Sequence, residues 1–188
     1  MTPVVRAMAT AMVIAAGAAL WQYLPTPDDV YGPFDVTAGM AQQAAGRAIQ
    51  AEVTGVRTGS RIRKIQTTPV LAEAVGIWVV IDGEAMTTRT VEVPNVELSI
   101  GSDIYVPTDR LGFLPLVGAL NPGITVRSSW IFDVPAALVG PGAPPMSLRI
   151  WVGDGRMDSR LVIEIPQHDS RISRSATIDF ERAELTGS

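Results

Sequence analysis

Segment after segment of this chain alternates apolar and polar residues with period two. That pattern suits a half-buried strand and not a helix. In Ala48–Gly55, Ile49, Ala51 and Val53 face one way and Gln50, Glu52 and Thr54 the other. Val96, Leu98 and Ile100 oppose Glu97 and Ser99. Trp130, Phe132 and Val134 oppose Arg127, Ser129, Ile131 and Asp133. The pattern returns in Leu148–Val152, Leu161–Ile165 and Thr177–Phe180. With 17 glycines and 14 prolines spread through 188 residues, long helices have little room after the first two dozen positions. Gly76–Ile81 (GIWVVI) is continuously apolar, as a central strand covered on both faces would be. Half-buried strands pair their apolar faces into two layers, so an antiparallel β-sandwich is the expected architecture. Asp154-Gly155 marks a tight turn in a hairpin spanning SLRIWVGDGRMDSRLVIEI, and Asn121-Pro122-Gly123 marks another turn. Ala38–Ala45 reads as a loop with at most one helical turn.

The N-terminal segment is different. Ala7–Leu24 carries no charge, and as a helix it would span roughly 27 Å, close to the thickness of a hydrocarbon core. Arg6 precedes it and Asp28 and Asp29 follow it, so the N-terminus should be cytoplasmic and the rest extracytoplasmic. Trp21 and Tyr23 fall where aromatic rings favour the headgroup layer. A second reading is a signal peptide cleaved near Ala16-Gly17-Ala18, which would release the remainder as a secreted protein. Length and the aromatic pair favour the uncleaved anchor. Ala7, Ala11, Ala15 and Ala19 recur every four residues, a small-residue stripe on which another transmembrane helix could pack. Proline-rich residues 25–33 read as an extended linker. The expected organisation is therefore an anchor or signal peptide over 1–24, a linker over 25–33, the sandwich over 34–182 and a tail over 183–188.

Composition then removes several functions. A net charge of −4 argues against nucleic-acid binding. Without cysteine there are no disulfides, thiolate metal sites or cysteine nucleophiles, and with one histidine no multi-histidine metal centre. Of the 15 basic residues only Lys64 is lysine, and with the richness in arginine, alanine, glycine, valine and proline this suggests a GC-rich bacterial genome.

The order PFDV, GRAIQAEVTGVR, GIWVVIDGE, VELSIGSDIYVPTDR and LNPGITVRSSWIFDVP resembles the telokin-like, immunoglobulin-fold domains of bacterial surface and secreted proteins. The resemblance covers roughly Phe34 to Phe180. It implies an immunoglobulin-like fold and an extracytoplasmic location, with no catalytic residues to carry over. Members are often lipid-anchored through a cysteine, which this chain lacks, so the helix would have to do any anchoring.

No motif points to catalysis. His168 lies in a polar turn beside Asp169 and Ser170, but neighbouring residues point in different directions and no nucleophile elbow is present. Asp103, Asp109, Asp154 and Asp158 are better read as turn residues than as calcium ligands. No cofactor or metal is expected. The candidate contacts are instead interaction surfaces. Leu111–Leu120, as an exposed loop, would present Phe113, Leu114, Leu116 and Val117 as an apolar patch. Its alternative, shared with Pro135–Met146, is to fold back over an open end of the sandwich. Arg57, Arg61, Arg63 and Lys64 form a basic cluster read as a strand edge or loop. Arg61 and Arg63 would touch an acidic partner or anionic headgroups, or guard the edge from aggregation. Together with Ala11, Ala15 and Ala19, these residues describe a non-enzymatic accessory subunit bound to an integral membrane protein or envelope component.

Overall fold

The computed structural model describes residues 2–25, 30–65, 70–112, 114–180 and 183–187. The chain forms two compact units, Met1–Gly32 and Pro33–Ser188.

The first unit is built on α1, Pro3–Gln22, with a proline opening its first turn, where a missing N–H costs nothing. Its 20 residues make it long and apolar enough to cross a membrane. Thr10 satisfies its hydroxyl internally by donating to the Arg6 carbonyl at 3.0 Å. None of the helix's side chains is buried.

The second unit is a β-sandwich. Its strands among the described residues are β1 (Phe34–Gly39), β2 (Ala44–Ala45), β3 (Ile49–Lys64), β4 (Val70–Thr87), β5 (Asn95–Ile100), β6 (Asp103–Tyr105), β7 (Ile124–Val134), β8 (Met146–Trp151), β9 (Ser159–Ile165), β10 (Ile172–Arg174), β11 (Thr177–Phe180) and β12 (Glu184–Gly187). One sheet has the order β1-β9-β8-β5-β6. The other runs β10-β3-β4-β7-β12, with β2 and β11 also on β3. The inward faces form the main core, with Ile49, Val53, Val79, Ile81, Trp130 and Phe132 from one sheet meeting Leu98, Leu148, Ile150, Leu161 and Ile163 from the other.

The expected strand faces hold. In β7, Trp130, Phe132 and Val134 enter the main core while Ile131 points to the opposite side. GIWVVI is covered twice, with Val79 and Ile81 in the main core and Trp78 and Val80 in a second cluster with Ile62, Leu111, Leu114, Ile131, Ile178 and Phe180. Gly83 faces the main core on the same strand. A Cβ there would collide with the Glu52 carbonyl and press on the Trp130 ring, so only glycine lets β3 and the indole close in. Asn121-Pro122-Gly123 makes its turn, with Gly123 at φ 69° and the Ile124 N–H donating to the Asn121 carbonyl at 3.3 Å.

Three expectations need correction. The sandwich is mostly antiparallel, but β1 pairs parallel with β9, and β10 and β11 pair parallel with β3. Alternation assigns a residue to a face and leaves the direction of a strand's partner open. The β8–β9 hairpin is real, yet Ile150 pairs with Leu161, so its loop is longer than a two-residue turn and holds Gly153, Gly155 and Met157 at positive φ. The expected tail contains β12, which pairs antiparallel with β7 through Glu184–Arg127 and Leu185–Val126.

Trp130 is wholly buried, and its Nε1–H meets no acceptor among the described residues, so the ring contributes through packing. Trp130→Ala should cost about 3–5 kcal/mol, read as a lowered urea midpoint. An unchanged midpoint would put the indole outside the core.

Candidate functional site

The segment from Thr108 to Leu120 crosses the margin of β7 and plugs both cores. The Thr108 N–H donates to the Ile131 carbonyl at 2.8 Å, satisfying a group on the margin of β7. Lys64 Nζ donates to the Leu111 carbonyl at 2.9 Å. At the far end, Glu92 and Leu120 exchange backbone hydrogen bonds of 2.8 and 3.1 Å. Between these ties Leu111 and Leu114 enter the second core, Leu116 and Leu120 the main core, and half-buried Val117 packs on both. A single helical turn over Pro115–Val117 aims Leu116 inward. The expected patch is therefore corrected at Leu114 and Leu116, which are only 2% and 0% exposed. A run of large apolar residues beside the margin of a sheet is buried best by folding back over it. Phe113 lies outside the described residues.

Arg110 fixes the start of this plug. Its guanidinium sits 5.0 Å from the centroid of the Trp78 ring, donates to Asp133 Oδ2 at 2.7 Å and donates to the Glu73 carbonyl at 2.8 Å. The Asp133 carboxylate also accepts the backbone N–H groups of Val75 and Gly76 at 2.8 and 3.0 Å. One carboxylate thus holds an irregular stretch of β4 and the loop over it.

What remains accessible is a cleft of about 380 Å³ beside the plug, lined by Leu114 and Val117 together with Pro94, Val96, Pro107 and Thr108. Val93 and Val106, the sequence neighbours of Pro94 and Pro107, are 59% and 69% exposed. Sequence reasoning missed this cleft and the exposed valines beside its prolines in the chain. Its only signal was two Val-Pro steps flanking the β5–β6 hairpin, where proline prevents further ladder pairing and leaves the valine uncovered.

The basic cluster is not at an edge. β3 lies inside its sheet, with β4 on one side and β10 and β11 on the other. These last two strands come from far along the chain, so no local pattern announces them. Arg57 donates from Nε and Nη2 to Asp82 Oδ2 and Oδ1, both at 2.6 Å, and the Ser129 hydroxyl donates to Asp82 Oδ1 at 2.6 Å. This half-buried bidentate pair floors a depression of about 360 Å³ that Arg127 and Glu184 also line. Arg63 donates to both Asp179 oxygens at 2.7 and 2.8 Å, which holds the Asp179 carboxyl below the usual carboxylate range. Among the described residues Arg61 makes no ion pair, although it stands opposite Glu73 in the ladder. The cluster is thus largely neutralised by its own sheet, and Arg61 is its free member.

The remaining candidates do not assemble into chemistry. Ala11, Ala15 and Ala19 lie exposed on α1. His168 is exposed, and its neighbour Asp169 binds Arg171 instead, accepting from Nε, Nη2 and the backbone N–H at 2.8, 2.6 and 2.9 Å. No group of three or more His, Cys, Asp or Glu among the described residues could hold a metal ion.

Comparison with known proteins adds little. No family model and no curated protein matches the chain. One solved structure, described as an uncharacterized β-sandwich protein from Clostridium difficile 630, is similar at 16% identity and a TM-score of 0.47, over 75% of this chain and 99% of that one.

Two measurements check this description. Leu114→Ala should destabilise the sandwich by about 2–5 kcal/mol, as expected for a buried leucine. A neutral effect in urea unfolding would return Leu114 to the surface. The hydrogen bonds from Arg171 lower the Asp169 carboxyl from 3.8 to about 2. The stability it contributes is complete above 3.8 and lost as pH falls through about 2. Carbon-detected NMR titration of Asp169 should show that depressed midpoint, and Arg171→Gln should raise it toward 3.8.

Proposed function

We propose that this protein is a membrane-anchored, extracytoplasmic binding module, a non-catalytic accessory subunit of a cell-envelope membrane complex. The observation that carries this reading is α1. It is a 20-residue apolar helix that buries none of its side chains and belongs to a compact unit separate from the sandwich. A helix that is apolar all round needs either a protein interior or a bilayer as its solvent. The charges flanking it favour an N-terminus in the cytoplasm and a sandwich outside.

In this reading the stripe of Ala7, Ala11, Ala15 and Ala19 receives a transmembrane helix of the partner. The cleft lined by Pro94, Val96, Pro107, Leu114 and Val117, with exposed Val93 and Val106 adjoining its prolines in the chain, is the contact surface offered by the sandwich. The motif Ala16-Gly17-Ala18 favours a second reading, in which the helix is a signal peptide and the domain is released as a secreted ligand-binding protein.

Full-length protein should stay with membranes through alkaline carbonate washing, retain its N-terminus by intact mass, and copurify with an integral membrane protein from mild detergent. Replacing Ala11, Ala15 and Ala19 together by leucine should reduce the recovered partner about tenfold, the effect of losing one tight helix contact of about 1.4 kcal/mol. A chain beginning near residue 19, recovered from the soluble fraction without a partner, would establish the secreted form instead.

A further inference from the structure

Segment Pro135–Met146 folds back over an end of the sandwich, and one side chain holds it there. Gln167 Oε1 accepts the Gly140 N–H at 3.1 Å, while Nε2 donates to the carbonyls of Leu138 and Pro144 at 2.8 and 3.0 Å. The clamp leaves a cleft of about 410 Å³ between this segment and the chain from β9 to β10. That volume is within the range of small-molecule sites.

The walls are Pro141, Pro145 and Pro166, whose rings have little rotational freedom to lose on binding. Among the described residues, the two lining groups that carry or can carry positive charge are His168 and Arg174, and no carboxylate lines the cleft. The nearest acid in sequence, Asp169, is already engaged by three hydrogen bonds from Arg171. Arg174 makes no ion pair or side-chain hydrogen bond among the described residues, and His168 makes no hydrogen bond there. Both are exposed. An imidazole offers an N–H donor whether or not it is charged, and a guanidinium offers a planar pair of donors.

We propose that this cleft is a binding site for a small carboxylate with an apolar body. The carboxylate takes its hydrogen bonds from Arg174 and His168, and the body lies against the proline walls. The site does not depend on the anchor, and it serves either form of the protein.

The test uses full-length protein in lipid nanodiscs, followed by the NMR signals of the His168 imidazole. The probes are benzoate, benzyl alcohol and inorganic phosphate. Benzoate should give a saturable shift, and each of the other two should bind at least about tenfold more weakly, since each lacks one half of the recognition. Arg174→Gln, which leaves every described contact of the fold in place, should weaken benzoate about tenfold. Gln167→Ala should abolish the shift by opening the clamp without changing the charge of the cleft. Equal binding of benzyl alcohol, equal binding of phosphate, or no saturable shift with benzoate would each overturn the proposal.

Discussion

The β3–β4 ladder is the constraint on which the rest of the sandwich depends. It pairs Ile49 with Thr87 at one end and Lys64 with Val70 at the other, with two register shifts between. Because β4 is apolar on both sides along GIWVVI, neither face can be left in water. The face carrying Val79 and Ile81 is covered by the second sheet, which any sandwich supplies. The face carrying Trp78 and Val80 has no sheet to cover it. The chain must build a lid for it, and Leu111, Leu114, Ile178 and Phe180 come from two distant segments to do so.

Much of the irregular structure follows from that requirement. The plug over β7 exists because it buries leucines on both sides of one sheet. Arg110 and Asp133 anchor it where β4 loses regularity, with the guanidinium over Trp78 and the carboxylate on two backbone N–H groups. β11 joins β3 in parallel so that Ile178 and Phe180 reach the same cluster. Proline then sets the margins. Segments that cannot add to a ladder are folded over the ends of the sandwich, and the two clefts next to them are where small ligands and partners have room to bind.

The functional reading is one of binding. The ion pairs on the sheets lie between neighbouring strands, as in Arg57–Asp82, Arg63–Asp179 and Arg160–Asp35, and they fasten the fold internally. Among the described residues, the side chains left open to contact include Val93 and Val106, next to the prolines of one cleft, and His168 and Arg174 in the other. Such groups suit recognition of apolar or singly charged surfaces, and the proposed role as an envelope-complex subunit draws on that character.

The strand faces, the double burial of GIWVVI, the Asn121-Pro122-Gly123 turn and the apolar helix are all legible in the order of residues alone. All of these follow from local periodicity, backbone restriction or hydropathy. The burial of Leu114 and Leu116, the place of the β3 arginines inside a sheet and the strand at Glu184–Gly187 emerge only when the chain is folded. Each of these depends on partners distant in the chain: Ile178 near Leu114 in one cluster, β11 beside Arg63, and β7 beside Leu185. An apolar run reads the same whether it faces water, a partner or its own sheet. The choice is made by which surface the rest of the fold leaves open, and period-two alternation carries no information about that.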